Sequence, residues 1–286
     1  MKYSYAERIW YQVSFLILAG IPVILVANYL DTRLLNDIPI WIKPLKFHIS
    51  IALHLLTFAV LIRFLPDKTR HSVWLTVLAF VSSAATIIEM LIIDFQAARG
   101  VHSHFNFSSQ FDGMLYAVMG IAALLLSLPA LVLGIRFIFA PVNQNQLTPG
   151  LKLGIVLGLI SGFVLTLTIA GYMSMQSGGH WVAAPKTDAG GLPVVGWTRQ
   201  GGDLRVPHFF ATHLMQILPL AGYLLDRLFH GESQQSHSQQ REFQQSHSQQ
   251  RAVRQIYLGV STVAILGIAL TIGTLLQALA GEPFIA

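Results

Sequence analysis

The sequence predicts an all-α integral membrane protein with seven transmembrane helices in a single domain (residues 1–286), and three observations predict it. Hydrophobic residues make up 53% of the chain and charged residues only 11%, whereas a soluble domain carries about 25% charged residues. The mean hydropathy is +0.58. Apolar runs of roughly 20 residues, the length that crosses a bilayer as a helix, occur seven times along the chain.

The first predicted span has a longer apolar run than a secretion signal, and no small-residue cleavage site follows it, so we interpret it as a helix. The fifth span carries Gly154, Gly158 and Gly162 at four-residue spacing. Such a surface of small residues lets membrane helices approach one another closely. The seven predicted spans are residues 10–30, 45–65, 73–95, 114–140, 151–175, 206–228 and 256–280.

Lysine and arginine predict the orientation, because the cytoplasmic connections of membrane proteins carry an excess of these residues. A cytoplasmic N-terminus places 11 of the 18 basic residues in the cytoplasm and 7 outside. With seven spans the C-terminus is then extracytoplasmic. We therefore expect a multi-pass protein of a bacterial-type plasma (inner) membrane.

Several function classes are excluded by what the sequence lacks. The chain has no cysteine, which excludes disulfides, thiolate metal sites and cysteine nucleophiles. Its basic residues are scattered between apolar runs and form no nucleic-acid stripe, so we expect no nucleic-acid partner. No GxSxG, P-loop, dinucleotide fingerprint or HExxH motif occurs.

Two long connections differ in character. Residues 230–253 contain QQSHSQQR twice, a composition that does not bury a core and predicts a low-complexity cytoplasmic loop. Residues 176–205, called the glycine-rich loop below, contain seven glycines and surround Trp197 with short apolar pairs. That pattern predicts a short hairpin between the fifth and sixth spans, with a disordered connector as the alternative.

The histidines lie mostly on one predicted side of the membrane. Seven of the eleven fall in the extracytoplasmic halves of spans or in the adjoining loops, namely His48, His54, His102, His104, His180, His208 and His213. Ionisable side chains at bilayer depth usually face a bundle interior, where they pair or do chemistry. This asymmetry predicts a site that faces the extracytoplasmic side.

Depth along the spans brings three of these ionisable residues to one level. At 1.5 Å per residue, His54 lies roughly 13 Å, His213 roughly 12 Å and Glu89 roughly 10 Å below the outer ends of their helices. At about 100° per residue, Glu89 shares one stripe of the third span with Ser82 and Gln96. The sequence therefore predicts a layer of two imidazoles and a carboxylate.

Neutral imidazoles on different helices are the ligands of a membrane haem b, and they also suit copper, iron or zinc. The favoured prediction is a redox reaction at a haem or transition-metal centre, with quinol as a candidate substrate. Glu89 and Arg99 are the predicted catalytic residues, since Glu89 can relay protons and Arg99 can hold an anionic group. The predicted cofactor-binding residues are His54, His213, Lys46 and Arg205, and the predicted metal ligands are His48, His54, His104, His208 and His213.

Two alternatives stay open on the same residues. Three imidazoles and a carboxylate around zinc would leave a position for an activated water, which predicts a metal-dependent hydrolase acting on a lipid. Glu89 and the histidines could instead relay protons or bind a cation in a transporter. The inner halves of the spans are almost purely apolar, which disfavours alternating access.

Overall fold

The computed structural model of this protein describes residues 3–143, 146–176, 179–230 and 241–286, and most of these residues are helical. Short strands and turns connect the long helices. The elements in chain order are α1 (Tyr5–Leu30), β1 (Leu34–Leu35), β2 (Ile38–Pro39), α2 (Ile42–Leu61), a 3-10 turn (Ile62–Phe64), α3 (Asp67–Arg70), α4 (Val73–Arg99), α5 (Gln110–Ile138), α6 (Pro149–Met175), β3 (Trp181–Val182), β4 (Gly202–Asp203), α7 (Arg205–His230) and α8 (Arg241–Leu279).

Within the described residues, six helices are long and apolar enough to cross a membrane: α1, α2 with its 3-10 turn, α4, α5, α6 and the part of α8 from Gln249 onward. Large apolar side chains lie exposed along them, as expected of helices that face lipid. The architecture is therefore that of an all-α multi-pass membrane protein. The sixth predicted span coincides with α7, whose polar side chains set it apart from these six, so the count of seven stays a prediction.

By their internal contacts, the residues form two compact units. The first comprises residues 1–129, 167–206 and 274–286, and the second comprises residues 130–166 and 207–273. The single domain expected from the sequence stays a prediction.

The core of the first unit is built on α1, α2 and α4, which pack against one another. The indole Nε1 of Trp10 on α1 donates to Ser82 Oγ on α4 at 3.0 Å, and its ring lies 5.5 Å from that of Phe58 on α2. Trp10 and Phe58 are fully buried. A single aromatic side chain thus joins three helices while its one polar atom keeps a partner, as a buried indole requires.

A tight hairpin joins α1 to α2. Asn36 and Asp37 have φ values of 53° and 63°, and strands β1 and β2 pair antiparallel on either side of them. Two successive central residues with positive φ are the signature of a type I′ turn, which favours Asn and Asp. This hairpin brings Asn36 to the glycine-rich loop, where its backbone oxygen accepts from Asp188 N at 3.0 Å.

The glycine-rich loop does contain a two-stranded ladder, but at a different place from the predicted hairpin. Trp181 pairs with Asp203 and Val182 with Gly202, so the ladder joins the two ends of the loop. The segment before Trp197 forms a turn instead, in which Gly196 N donates to Leu192 O at 2.7 Å. Pro193 lacks a backbone N–H for a ladder, which explains why this segment is not a strand.

In the second unit, α6 packs closely against α7 along its glycines, as predicted. A Cβ atom at Gly154 would meet the carbonyl oxygen of Leu218, and one at Gly158 would lie 2.6 Å from that of Leu214. Alanine at either position would therefore strike the backbone of α7. The glycine spacing in the sequence is confirmed as a packing surface.

The carboxylate of Asp226 on α7 fixes the start of α6. It accepts hydrogen bonds from Gly150 N at 2.9 Å, Leu151 N at 2.7 Å and the Thr148 hydroxyl at 2.5 Å. The first N–H groups of a helix have no partner within the helix, and a carboxylate placed there satisfies them. Asp226 is buried and fully engaged in this capping role.

The predicted loop at residues 230–253 is wrong for residues 241–253, because α8 already begins at Arg241. Glutamine and arginine are good helix formers. Residues 241–253 extend a membrane-spanning helix, so they need no hydrophobic core of their own to stay helical. Residues 231–240, which include all of the first repeat copy except Arg241, lie outside the described residues.

The close contact between α6 and α7 predicts a difference between two glycines of the same helix. We expect Gly154→Ala to lower the unfolding midpoint in detergent, because overpacking of this kind costs about 1–3 kcal/mol. Gly171 is the matched control, because nothing lies within 4 Å of the position that a Cβ atom would occupy there. Gly171→Ala should leave the midpoint unchanged or raise it, and equal midpoints for the two variants would contradict this packing.

Candidate functional site

The polar stripe of α4 faces the interior of the first unit, as its spacing predicted. Ser82, Glu89 and Gln96 are all buried. Ser82 is held by the indole of Trp10, and the amide nitrogen of Gln96 donates to Asp112 Oδ1 at 2.9 Å. Two of the three side chains on the stripe therefore have polar partners from neighbouring elements.

Glu89 differs from these two. Only 4% of its surface is exposed, and its Oε2 has no hydrogen-bond partner among the described residues. The cation that acts on it electrostatically is Lys43 of α2. A buried carboxylate oxygen without a partner is costly, so Glu89 is the centre of the candidate site.

Lys43 also connects α2 to the segment between α4 and α5. Its Nζ lies 3.1 Å from Nδ1 of His104. The ring of His104 lies beside the rings of Phe47 at 5.4 Å, Phe105 at 6.1 Å and Tyr116 at 6.2 Å. The predicted metal ligand His104 is thus the partner of a lysine inside an aromatic cluster.

His54 and His48 lie on different faces of α2. His54 is buried and meets the ring of Phe58 edge-on at 4.6 Å. His48 is also buried; its Nδ1 lies 3.0 Å from Pro44 O and its Nε2 lies 3.7 Å from Asp94 Oδ2 on α4. The structure therefore pairs His48 with Asp94, a partner that the sequence reasoning missed.

Arg99, predicted to be catalytic, is held in a structural network. Its Nη1 donates to Asp112 Oδ1 at 2.6 Å and to Gln96 Oε1 at 2.5 Å, and its guanidinium lies over the rings of Phe95 and Phe111. These contacts fix the start of α5 against the end of α4. A catalytic role for Arg99 stays a prediction that this geometry does not favour.

Lys46 and Arg205, predicted to hold a cofactor, both bind the glycine-rich loop. Lys46 Nζ donates to Val195 O at 2.9 Å, and Arg205 Nη2 donates to Gly196 O at 2.8 Å. Arg205 also forms ion pairs of 2.7 Å with Asp188 and with Asp203. Both cations are therefore engaged in holding this loop.

Asp188 and His180 form the titratable part of this attachment, with 3.8 Å between the imidazole Nε2 and the carboxylate Oδ1. Burial opposes ionisation of Asp188, but His180 and Arg205 beside it outweigh burial and hold its pKa at about 2. Burial lowers the pKa of His180 below its ordinary value, although Asp188 acts in the opposite direction. The attached loop therefore contains an ionised Asp188 and favours a neutral His180.

His208 and His213 belong to the second unit. His213 stacks on Phe209 with 4.0 Å between the ring centroids, and its Nδ1 lies 2.8 Å from Phe209 O. Next to it in the chain, the Thr212 hydroxyl lies 3.2 Å from that of Thr166 on α6. The predicted layer that joins His213 to His54 and Glu89 stays a prediction.

Among the residues that the structure describes, no group of three or more histidine and carboxylate side chains is arranged to hold a metal ion. The predicted haem or metal centre and its ligands stay predictions. Comparison with models of protein families, with curated proteins and with solved structures finds no match to this chain. The function is therefore argued from the residues themselves.

The sequence reasoning missed the acidic partners of the cations. Asp188 and Asp203 are the two acidic residues of the glycine-rich loop, and the predicted cofactor-binding cations Lys46 and Arg205 need counter-charges. Asp112 stood at the start of an apolar run, a position where a carboxylate is favourable to a helix. Counting acidic residues on the same side of the membrane as the lysines and arginines would have found all three.

The attachment of the glycine-rich loop predicts a dependence on pH. A detached loop binds a proton on His180 below its ordinary pKa of about 6.5 and on Asp188 below about 4, so attachment should be complete at neutral pH and weaken as the pH falls. The chain has no cysteine, so a spin label on Ala189→Cys reports this loop alone. We expect its mobility to rise on acidification.

Asp188→Asn should raise the mobility of that label already at neutral pH, because a hydrogen bond to a charged group is worth about 2 kcal/mol. Asp67→Asn is the control, since Asp67 is exposed on α3, away from this loop in the chain. A label whose mobility stays constant from neutral to acidic pH would contradict the proposed attachment.

Proposed function

We propose that this protein is a membrane oxidoreductase in which Glu89 accepts a proton from a lipid-soluble, hydroxylated substrate of the quinol class. The chain crosses a bacterial-type plasma membrane seven times, with a cytoplasmic N-terminus and an extracytoplasmic site. Six apolar helices and the distribution of basic residues support this topology. The seventh span is α7, whose 26 residues are long enough to cross a bilayer.

The observation that carries the proposal is the buried Oε2 of Glu89 without a partner among the described residues. Three other buried carboxylates are engaged by hydrogen bonds: Asp112 by Arg99 and Gln96, Asp203 by Arg205 and Asp226 by the start of α6. The Oδ1 atoms of Asp94 and Asp188 also have no hydrogen-bond partner among the described residues, but these two carboxylates face His48 and Arg205. Because an unpaired carboxylate inside a membrane is expensive, its retention indicates a chemical role. A hydroxyl group of a substrate would supply the missing donor.

A quinol loses two protons and two electrons when it becomes a quinone. The carboxylate of Glu89 can accept these two protons from the quinol hydroxyls one at a time, as a general base within a dry site, and releases the first to water before it takes the second. The electrons need an acceptor of the haem b or transition-metal class, copper or iron. His54 in the first unit and His213 in the second are each proposed as an imidazole that would hold such a group, and His48, His104 and His208 are the further imidazoles available.

Lys46 and Arg205, which the sequence predicts to bind a cofactor, have a different role in this proposal. Lys46 and Arg205 hold the glycine-rich loop through Val195 and Gly196, and in this proposal they position the loop over the site. The apolar helix surfaces suit a substrate that arrives from the bilayer. Lipid and quinol are therefore the proposed partners.

Removing the carboxylate tests the proton acceptor directly. Glu89→Gln keeps the size of the side chain, and we expect it to weaken the binding of a short-chain quinol analogue by about tenfold, the equivalent of 1.4 kcal/mol. Calorimetric titration of the purified protein measures this change. Asp94→Asn is the matched control, because Asp94 lies on the same helix and pairs with His48; equal affinities in Glu89→Gln and the wild type would refute the proposal.

The electron acceptor is tested by an absorption spectrum of the purified protein together with metal analysis. A Soret band or stoichiometric copper or iron is the expected result, and His54→Ala or His213→Ala should remove it where that histidine holds the group. Colourless protein with stoichiometric zinc would favour the lipid hydrolase instead. Normal cofactor binding in the double variant would exclude these two histidines as ligands.

A further inference from the structure

Positive charge collects where α1 begins and α2 ends, at the end of these helices that the proposed topology places in the cytoplasm. The two segments that meet there, residues 3–11 and 62–74, carry four lysine and arginine side chains but only two carboxylates. One of the four cations is buried and the other three are exposed. The exposed cations, called the basic patch below, are Arg8, Arg63 and Lys68.

The buried cation, Arg70, pairs with both carboxylates. Its Nε lies 3.4 Å from Oε2 of Glu7, and its Nη1 lies 3.6 Å from Oδ1 of Asp67. The same oxygen of Glu7 accepts a hydrogen bond from Ser4 N at 2.6 Å, and both Glu7 and Arg70 are buried. The acidic groups of this region are therefore engaged with an interior cation, and the excess positive charge lies at the surface.

Arg63 is held in position while its terminal amino groups stay accessible. Its Nε lies 3.8 Å from Oε1 of Glu7, and its guanidinium carbon lies 5.8 Å from the centre of the Tyr3 ring. The side chain is nevertheless 49% exposed. Because Nε is the nitrogen that faces Glu7, the two Nη groups can bind a second anion. A guanidinium fork of this kind suits the paired oxygens of a phosphate group.

Aromatic side chains place this region at the surface of the membrane. Tyr5 at the start of α1 is 71% exposed, and Trp74 at the start of α4 is 41% exposed. Both helices are long and apolar enough to cross a bilayer, and Tyr and Trp at the ends of such helices lie at the level of the lipid headgroups. The anions present at that level are phospholipid phosphates, which favours a lipid over a soluble acidic partner.

We propose that the basic patch binds the headgroup of an anionic phospholipid such as phosphatidylglycerol. Arg63 donates hydrogen bonds to the phosphate oxygens, and Arg8 and Lys68 attract the headgroup electrostatically. A zwitterionic lipid has the same phosphate but also an ammonium group, which the patch repels. The patch therefore distinguishes the two lipid classes, and this role does not depend on the chemistry at Glu89.

Native mass spectrometry of the full-length protein in detergent, titrated with dioleoylphosphatidylglycerol, tests this site. We expect Arg63→Gln and Lys68→Gln each to weaken the tightest binding event by about fivefold, the usual contribution of one basic side chain near an anionic lipid. Dioleoylphosphatidylcholine should bind more weakly than the anionic lipid. Arg199→Gln is the matched control, since it removes an exposed arginine of the glycine-rich loop, and it should bind as the wild type does.

The variant at Lys68 keeps the test decisive if Arg63→Gln lowers the unfolding midpoint, because Lys68 is exposed and Glu7 pairs with the two arginines. Wild-type affinity in both variants would overturn the proposal, as would equal affinity for the two lipids. An equal loss in Arg199→Gln would overturn the location. Displacement of the lipid by an equal concentration of glycerol phosphate would identify a soluble phosphate as the ligand and overturn the assignment to a lipid.

Discussion

The hydrocarbon interior of a membrane offers no water to a polar side chain, so every polar group on a spanning helix depends on a partner from the protein. Helix α4 shows how the first unit meets this constraint. Ser82 receives the indole proton of Trp10, and Gln96 is bound to Asp112. Glu89, at the same face and between them in the chain, keeps an oxygen without a partner among the described residues, and the proposed chemistry rests on that oxygen.

The same constraint explains how the loops are attached. The glycine-rich loop buries Trp197 and Leu204, and it is also held by hydrogen bonds to its backbone from Lys46 and Arg205. Asp188 and Asp203 neutralise the charge of Arg205. These charged groups at the start of α7 bind the loop, and they make its attachment sensitive to protons.

The sequence was sufficient for features that repeat with the period of a helix. The spacing of Ser82, Glu89 and Gln96 predicted the inward face of α4, and the glycines of α6 predicted a close contact with another helix; burial and close approach confirm both. The depths along the helices also predicted Glu89 as a residue of the site. These inferences needed only the geometry of one helix at a time.

Contacts between distant segments could not be read in the same way. The pairing of Arg205 with Asp188 depends on how the glycine-rich loop folds back, and the pairing of Arg99 with Asp112 depends on the turn between α4 and α5. The Asn36-Asp37 turn is recognisable in the sequence, because Asn and Asp are residues that the positive-φ positions of a type I′ turn favour. The helical second repeat, from Arg241, shows that a polar composition does not by itself exclude a helix.

The central claim is that Glu89 exchanges protons within the membrane. Dicyclohexylcarbodiimide, an apolar reagent that adds to protonated carboxyl groups, tests this claim most directly when the labelled peptides are identified by mass spectrometry. The structure predicts modification of Glu89, and protection of Glu89 when a quinol analogue is bound. Protein that stays unmodified at Glu89 at every pH at which it remains folded would contradict the account.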